Sequence, residues 1–215
     1  MNPPIVNDNP PFVKRILSSI FANSVLGECT VQQLAKELYF SEIRMTEAVE
    51  FLVNQGLIIQ DDLGRLNLTD IGRSSIKVVM AGGVFDIIHL GHVYTLNKAK
   101  SLGDALIVSV ARDTTVLKLR GKPPINDEDI RVRQVASIKA VDAALLGSER
   151  DIYDTVERIR PDIITIGYDQ KYDEEEMKKR SAERGVTVEV IRLDTPHPGI
   201  KSSSIKQDPR FDFSF

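Results

Sequence analysis

Five short apolar runs recur in the last two thirds of the chain, and stretches of helical character separate them. "KVVMAGG", "ALIVSVA", "AALLGS", "DIITIG" and "TVEVIRL" are strand-like. "YTLNKAKSLG", "DEDIRVRQVASIKA", "RDIYDTVERIR" and "DEEEMKKRSAERG" read as amphipathic helices, the first ending at Gly103 and the last at Gly185. A strand that is apolar throughout, rather than at alternate residues, needs cover on both faces, and the intervening helices supply it. The expected fold of residues 76–215 is therefore α/β, a Rossmann-like parallel sheet. Ligands bind such sheets at the carboxyl ends of the strands. That rule puts "GGVFD", "ARDTT", "GYDQ" and the segment after "VIRL" on one rim.

Residues 1–75 follow a different pattern. The first nine, rich in Pro and Asn, read as a loose arm. Phe12, Ile16, Leu17, Ile20 and Phe21 then recur at helical spacing. Thr30 is placed to cap "VQQLAKEL", and Ser41 to cap "EIRMTEAVEFLVNQG", which Gly56 stops. "LIIQDDLGRLNLTDIG" suggests two strands around a turn at Asp61–Gly64. Three helices and a hairpin in that order suggest a small winged helix-turn-helix domain over 1–75, preceding a catalytic domain over 76–215.

Charge argues against the simplest use of such a domain. Residues 1–75 carry six Lys/Arg and nine Asp/Glu, and the third helix sets Glu42, Glu47 and Glu50 against Arg44 alone. Phosphate contacts supply most non-specific DNA affinity, and this surface repels phosphate. Dimerisation or protein contact is the favoured role, with nucleic acid left open. The whole chain of 215 residues is 42% hydrophobic and 27% charged, as expected of a globular protein. It has no apolar run long enough to span a bilayer and no signal-peptide pattern. The single cysteine, Cys29, reads as a small core residue. A cytoplasmic location away from membranes is the expectation. The tail "RFDFSF" alternates like a strand or a docked extension.

Two of the three histidines fall in "HLGH", residues 89–92, just past the first apolar run. Neither a G-x-G-x-x-G nor a G-K-[ST] sequence occurs, so dinucleotide and P-loop fingerprints are absent. Gly82 and Gly83 let backbone approach a ligand, and Gly91 leaves room between the imidazoles. A helix beginning near Gly91 favours an anion at its start. Two imidazole donors with that dipole suit developing phosphate charge. A metal site is the rival, but it needs a third ligand; His197 is the only other histidine, and Asp86 could contribute. No metal ligand is assigned. A purely structural pair, one ring capping the helix and one bonded in the core, is the other alternative.

"GGVFDIIHLGHV" resembles the first signature of the HIGH-type nucleotidyltransferases, in their cytidylyltransferase-like branch. The likeness extends over about residues 77–207. "SLGDALIVSVARDTTVLKLRGKPPI" resembles the second strand and basic loop of that superfamily. "DEDIRVRQVASIKAVDAALLGS" is similar to the helix and strand that follow, "PDIITIGYDQ" to its fourth-strand turn, and "GIKSSSIK" to its Ser/Thr-rich last signature. Within the superfamily the pattern is most similar to archaeal FAD synthases, which transfer AMP from ATP to FMN. Val84 stands where the family often has Thr or Ser, so the backbone must do the work of that hydroxyl.

The resemblance implies direct attack of a substrate phosphate on the nucleotide α-phosphorus with release of pyrophosphate. It implies a catalytic set of His89, His92 and Lys118, with Arg120 and Lys122 in the same basic loop. The nucleotide would lie against Val84, Phe85, His89, Leu90, Gly91, His92, Arg131, Asp169, Ser202 and Ser203. Asp86 would brace the turn, Ser204 would extend the serine run, and Tyr168 would stack on a base or fill core. Arg131 corresponds to a phosphate-binding arginine of the family. Mg²⁺ would come with the nucleoside triphosphate, held mainly by phosphates and water. The expected partners are ATP or CTP, a phosphorylated acceptor such as FMN, and a second copy of the chain. A cytidylyltransferase for glycerol phosphate or another alcohol or sugar phosphate is the alternative within the class. A transcription regulator that senses a nucleotide or flavin is the alternative outside it.

Overall fold

The structure, a computed structural model, describes residues 10–195. The expected loose arm, His197, Ser202–Ser204 and the "RFDFSF" tail lie outside the described residues. The described chain divides into two compact units. One runs through Val78 and takes in Gly103–Ala105; the other comprises Val79–Leu102 and the residues from Leu106 on. The first segment ends three residues beyond the expected boundary after residue 75.

The first unit contains α1 (Pro10–Leu26), α2 (Val31–Leu38) and α3 (Glu42–Asn54), then β1 (Ile58–Gln60), β2 (Leu66–Leu68) and α4 (Asp70–Ser74). Local chemistry sets the helix starts. Thr30 and Gln33 form a reciprocal capping box, with Gln33 N–H donating to Thr30 Oγ1 at 3.3 Å and Thr30 N–H to Gln33 Oε1 at 2.8 Å. Ser41 accepts from Arg44 N–H to open α3, and Gly56, at φ +68, lies just past its end. β1 and β2 pair antiparallel, with Ile58 opposite Leu68. Ile58 and Leu66 are buried, as are Ile16, Leu17, Ile20, Leu34, Met45 and Leu52. Each such side chain contributes about 1.5–3 kcal/mol by leaving water. Cys29 is buried among them, and burial pushes its thiol up to about 12, so it packs as an inert apolar group. The short helix α4 was not foreseen; Thr69 opens it by accepting from Gly72 N–H at 3.0 Å.

The sheet-bearing unit follows as β3 (Val78–Gly83), α5 (Leu90–Lys100), β4 (Ala105–Val110), α6 (Asp113–Arg120), α7 (Glu128–Ala136), β5 (Ala143–Leu146), α8 (Ile152–Ile159), β6 (Ile163–Gly167), α9 (Glu174–Glu183) and β7 (Glu189–Leu193). The five strands lie in the order β5-β4-β3-β6-β7. Pairing is parallel for β4 with β5, β3 with β6, and β6 with β7. All six residues of β4 are buried, as an interior parallel strand requires. Val79, Ala81, Leu106, Val108, Val110 and Ile163 form one core with Leu96, Ala99 and Val135 from the helices.

This order has one consequence for function. The chain leaves β3 toward β4 and β5 on one side, then returns past β3 to β6 and β7 on the other. β3 and β6 therefore flank the switch point, where their carboxyl ends part and a ligand can enter. One expectation needs correction: Lys118 and Arg120 do not lie in a loop. "DTTVLKLR" is the helix α6, closed by Gly121 in the left-handed region at φ +71.

Candidate active site

β3 ends in Gly82-Gly83 at the switch point, and the turn that follows is built inward. Phe85 adopts a left-handed φ of +53, and its ring lies only 7% exposed. A Cβ on Gly83 would come within 2.8 Å of that ring. Gly83 is thus needed for the approach of Phe85, where the sequence reading assigned it to a ligand. The Phe85 ring in turn packs against His92, with centroids 5.2 Å apart.

Buried polar groups hold the turn from the far side. Asp86, 1% exposed, accepts from Ile125 N–H at 2.9 Å and Asn126 N–H at 3.0 Å. Asn126 Nδ2 donates back to Asp86 O at 2.6 Å. Arg131 corrects its expected role. Its side chain is fully buried, and its guanidinium donates to Val84 O at 2.6 Å, Asn126 O at 3.0 Å and Asp113 Oδ1 at 2.6 Å. A guanidinium placed in this way fixes the Val84 carbonyl and the start of α6, and the placement does not present it to a phosphate. Asn126 was missed because a single asparagine in "PPIND" carries no periodic signal. Arg131 had a signal: it shares the inward face of α7 with Val135, four residues on.

The two histidines sit where this turn delivers α5. His89 occupies the N-cap position, φ −142 and ψ 171, yet its side chain makes no capping bond. The alternative in which one ring caps the helix therefore fails. Instead the rings of His89 and His92 stack, with centroids 3.9 Å apart and planes 25° apart. The Nδ1 of each is buried with no hydrogen-bond partner among the described residues. Buried polar atoms are normally paired, so an orphan in each of two adjacent rings points to a ligand.

The start of α5 is distinctive as well. Carboxylates of the chain close the other helix starts in this unit. Glu128 accepts from Asp113 N–H at α6, Asp127 caps α7, Asp151 caps α8 and Asp173 caps α9. No side chain caps α5. Its first N–H groups and the positive end of its dipole are left for an anion.

Burial disfavours charge on both imidazoles. It lowers the pKa of His89, and it is the largest cause of a net fall to about 4 at His92. Within that net fall His89 also pushes His92 down, while the Ile87 backbone and the Asp169 carboxylate push it up. Asp169 therefore lies within electrostatic reach of His92, and the structure brings these two expected site residues together across the switch point. Of the remaining expected residues, Val84 turns its carbonyl toward Arg131, and Leu90 is 57% exposed at the first turn of α5, beside Gly91. Tyr168 is 37% exposed on the turn after β6. Lys118 is exposed on α6, and no contact among the described residues joins it to the histidine turn. No three His, Cys, Asp or Glu side chains among the described residues gather as a metal site. No described helix is long and apolar enough to cross a membrane.

Comparison with known proteins places this geometry. The chain is 56% identical over 115 residues to an FAD synthase of Aciduliprofundum boonei, a match covering 54% of this chain and 76% of that protein. It is 50% identical over 127 residues to the FAD synthase of Thermoplasma acidophilum, covering 59% of this chain and 89% of that one. Among solved structures, a lipopolysaccharide core biosynthesis protein from Thermoplasma volcanium superposes with a TM-score of 0.53 at 49% identity, covering 55% of this chain and 96% of that chain. Residues 80–208, which hold the histidine turn and the rim, match the cytidylyltransferase-like family. This chain belongs to the cytidylyltransferase-like family.

Proposed function

We propose that the protein transfers the adenylyl group of ATP to the phosphate of FMN, forming FAD and pyrophosphate. It is a nucleotidyltransferase, and the relatives that carry the finer reading are FAD synthases, 56% and 50% identical over most of their own length. An oxygen of the FMN phosphate attacks the α-phosphorus of ATP. A new P–O–P bridge forms, the bond to the β-phosphate oxygen breaks, and pyrophosphate departs with that electron pair. Mg²⁺ enters as part of the MgATP substrate, held by phosphate oxygens and water.

In this reading the stacked imidazoles hold the triphosphate. A neutral imidazole carries one N–H, and such a donor aimed at a phosphoryl oxygen stabilises charge that grows in the transition state. The uncapped start of α5 adds backbone N–H groups. Phe85 fixes the His92 ring from behind, while Asp86, Asn126 and Arg131 fix the turn. Asp169 and Tyr168 face the nucleoside, and Lys118 on α6 takes the outer phosphates; Ser202 and Ser203, outside the described residues, are further candidates for phosphate contact. Most of the catalysis is positioning and charge neutralisation, because the chemistry needs no covalent enzyme intermediate.

The first unit is read as a winged helix-turn-helix domain used for self-association in a cytoplasmic homodimer. Ile43 at the start of α3 is 74% exposed and Leu63 at the hairpin tip 75%, while α3 also carries Glu42, Glu47 and Glu50. Apolar side chains beside acidic ones suit a protein surface better than DNA.

The test is incubation of the purified chain with labelled ATP or CTP and candidate acceptors. FAD formed from FMN and ATP supports the reading. Cytidylyl transfer to glycerol phosphate or a sugar phosphate, with none to FMN, would replace it. Salt-dependent operator binding without turnover would favour the regulator.

A further inference from the structure

The ladder between β3 and β6 ends early. Its register runs from Val79 opposite Ile163 to Ala81 opposite Thr165, while β6 goes on pairing with β7 as far as Gly167 opposite Leu193. Past Ala81 the two strands part, and backbone groups on the facing edges lose their rungs. One side chain replaces them. Gln170 Nε2 donates to Gly82 O at 2.9 Å, and Gln170 Oε1 accepts from Gly167 N–H at 2.7 Å. The carboxamide acts as a stand-in peptide group, bonded to one strand tip on each side. Gln170 is itself held, since its N–H donates to Gly167 O at 3.1 Å. Arg192 of β7 donates to Gly167 O, to Gln170 O at 2.9 Å and to Tyr172 O at 2.6 Å, with its Nε on Glu174.

We infer that Gln170 is a positioning residue for the nucleotide: its amide spans the opening between β3 and β6 and sets the turn carrying Tyr168 and Asp169 against the His92 side of the site. The inference rests on the nucleotide-site reading above. A strand tip that drifts by an ångström moves Asp169 relative to His92, and binding sites are sensitive to displacements of that size. No apolar side chain of similar length can make either bond. A glutamate keeps the acceptor for Gly167 N–H but sets a carboxylate against the Gly82 carbonyl.

Steady-state kinetics on the full chain with ATP and FMN test this, with thermal melting in parallel. Gln170→Leu is expected to raise KM for ATP roughly tenfold, the scale of one unsatisfied buried group, with kcat changed less than about threefold. Gln170→Glu is expected to give a smaller rise of the same kind, and it covers the case in which the leucine variant fails to fold. A merely structural tie would lower the melting temperature and leave KM unmoved in the protein that remains folded. A KM for ATP within about twofold of wild type in a folded variant overturns the inference. Absence of ATP turnover in the wild type would instead overturn the site reading, so the two failures are separable.

Discussion

The two units differ in how they hold the polar groups at the ends of their elements. In the first, the starts of α2, α3 and α4 are closed locally, by Thr30 with Gln33, by Ser41 and by Thr69, and the buried side chains are apolar apart from Cys29 and from Ser18 and Ser19 of α1. In the second, Asp127, Asp151 and Asp173 also cap helices locally, but long-range partners hold the strand tips. Asp86, Asn126, Arg131 and Gln170 bond across 18 to 88 residues of sequence or accept such bonds, all at the strand tips. Two buried imidazole nitrogens are left without partners in the same place. A site must hold unsatisfied groups in place and needs a rigid surround to do so.

The sharpest way to break that contrast is to remove the groups held for the ligand. His92→Ala should lower kcat by about 10²–10³-fold, the loss seen when one transition-state donor is removed, and leave the fold intact by circular dichroism. Turnover within about threefold of wild type would show that the stacked pair is structural. Removing the surround should act the other way, on stability first. Arg131→Met leaves Val84 O, Asn126 O and Asp113 without their donor. A buried pair cut on one side costs about 3–5 kcal/mol, and the partial exposure of Asp113 sets the expectation near 3. Urea unfolding should show it. A loss under about 1 kcal/mol would mean that the turn carries itself.

How far the sequence could be read follows the same division. The strands were legible because a double-covered sheet makes apolar runs, and the caps were legible because Thr and Ser close helices within three residues. His89 and His92 were legible because two imidazoles around a glycine are rare in a chain with three. Asn126 and Gln170 were not legible. Their meaning lies in bonds to Asp86 and Gly82, 40 and 88 residues away, and neither bond leaves a periodic trace. α6 was missed because Lys118, Arg120 and the following Gly-Lys-Pro-Pro look like a solvated loop, although Val116 anchors the segment in the core. Arg131 lies on the expected helix, but where its charge suggests phosphate the structure supplies two carbonyls and the Asp113 carboxylate.

The same imidazoles give the sheet-bearing unit a histidine-linked pH dependence, and the described residues of the first unit include no histidine. An unperturbed histidine takes a proton near 6.5, and folded His92 does so only near 4. Between those values the unfolded chain binds the proton and the folded chain does not. The burial of neutral His92 therefore costs nothing above about pH 6.5, and stability falls as the pH drops toward 4. At pH 4.5 the loss from this residue should be roughly 2–3 kcal/mol, by the usual 1.36 kcal/mol for each pH unit. His92→Asn should flatten the fall in the urea midpoint between pH 7 and pH 4.5 relative to wild type. An unchanged slope would mean that His92 charges freely in the folded protein.

The smallest effect lies in the first unit and tests its local self-sufficiency. Tyr39 ends α2 in the left-handed region, φ 60 and ψ 40, with 91% of its surface exposed. The conformation follows from the geometry of the cap, in which Tyr39 N–H donates to Ala35 O and Phe40 N–H reaches the same carbonyl at 2.9 Å. A side chain with a Cβ pays about 1–2 kcal/mol to stand there, and glycine does not. Glycine gives part of this back through the greater freedom of the unfolded chain. Tyr39→Gly should therefore stabilise the first unit by about 0.5 kcal/mol and leave kcat and KM for ATP unchanged. A shift in the apparent molecular mass of the protein on the same substitution would assign the exposed Tyr39 ring to the contact between copies, and would show that the first unit also keeps a side chain in place for a partner.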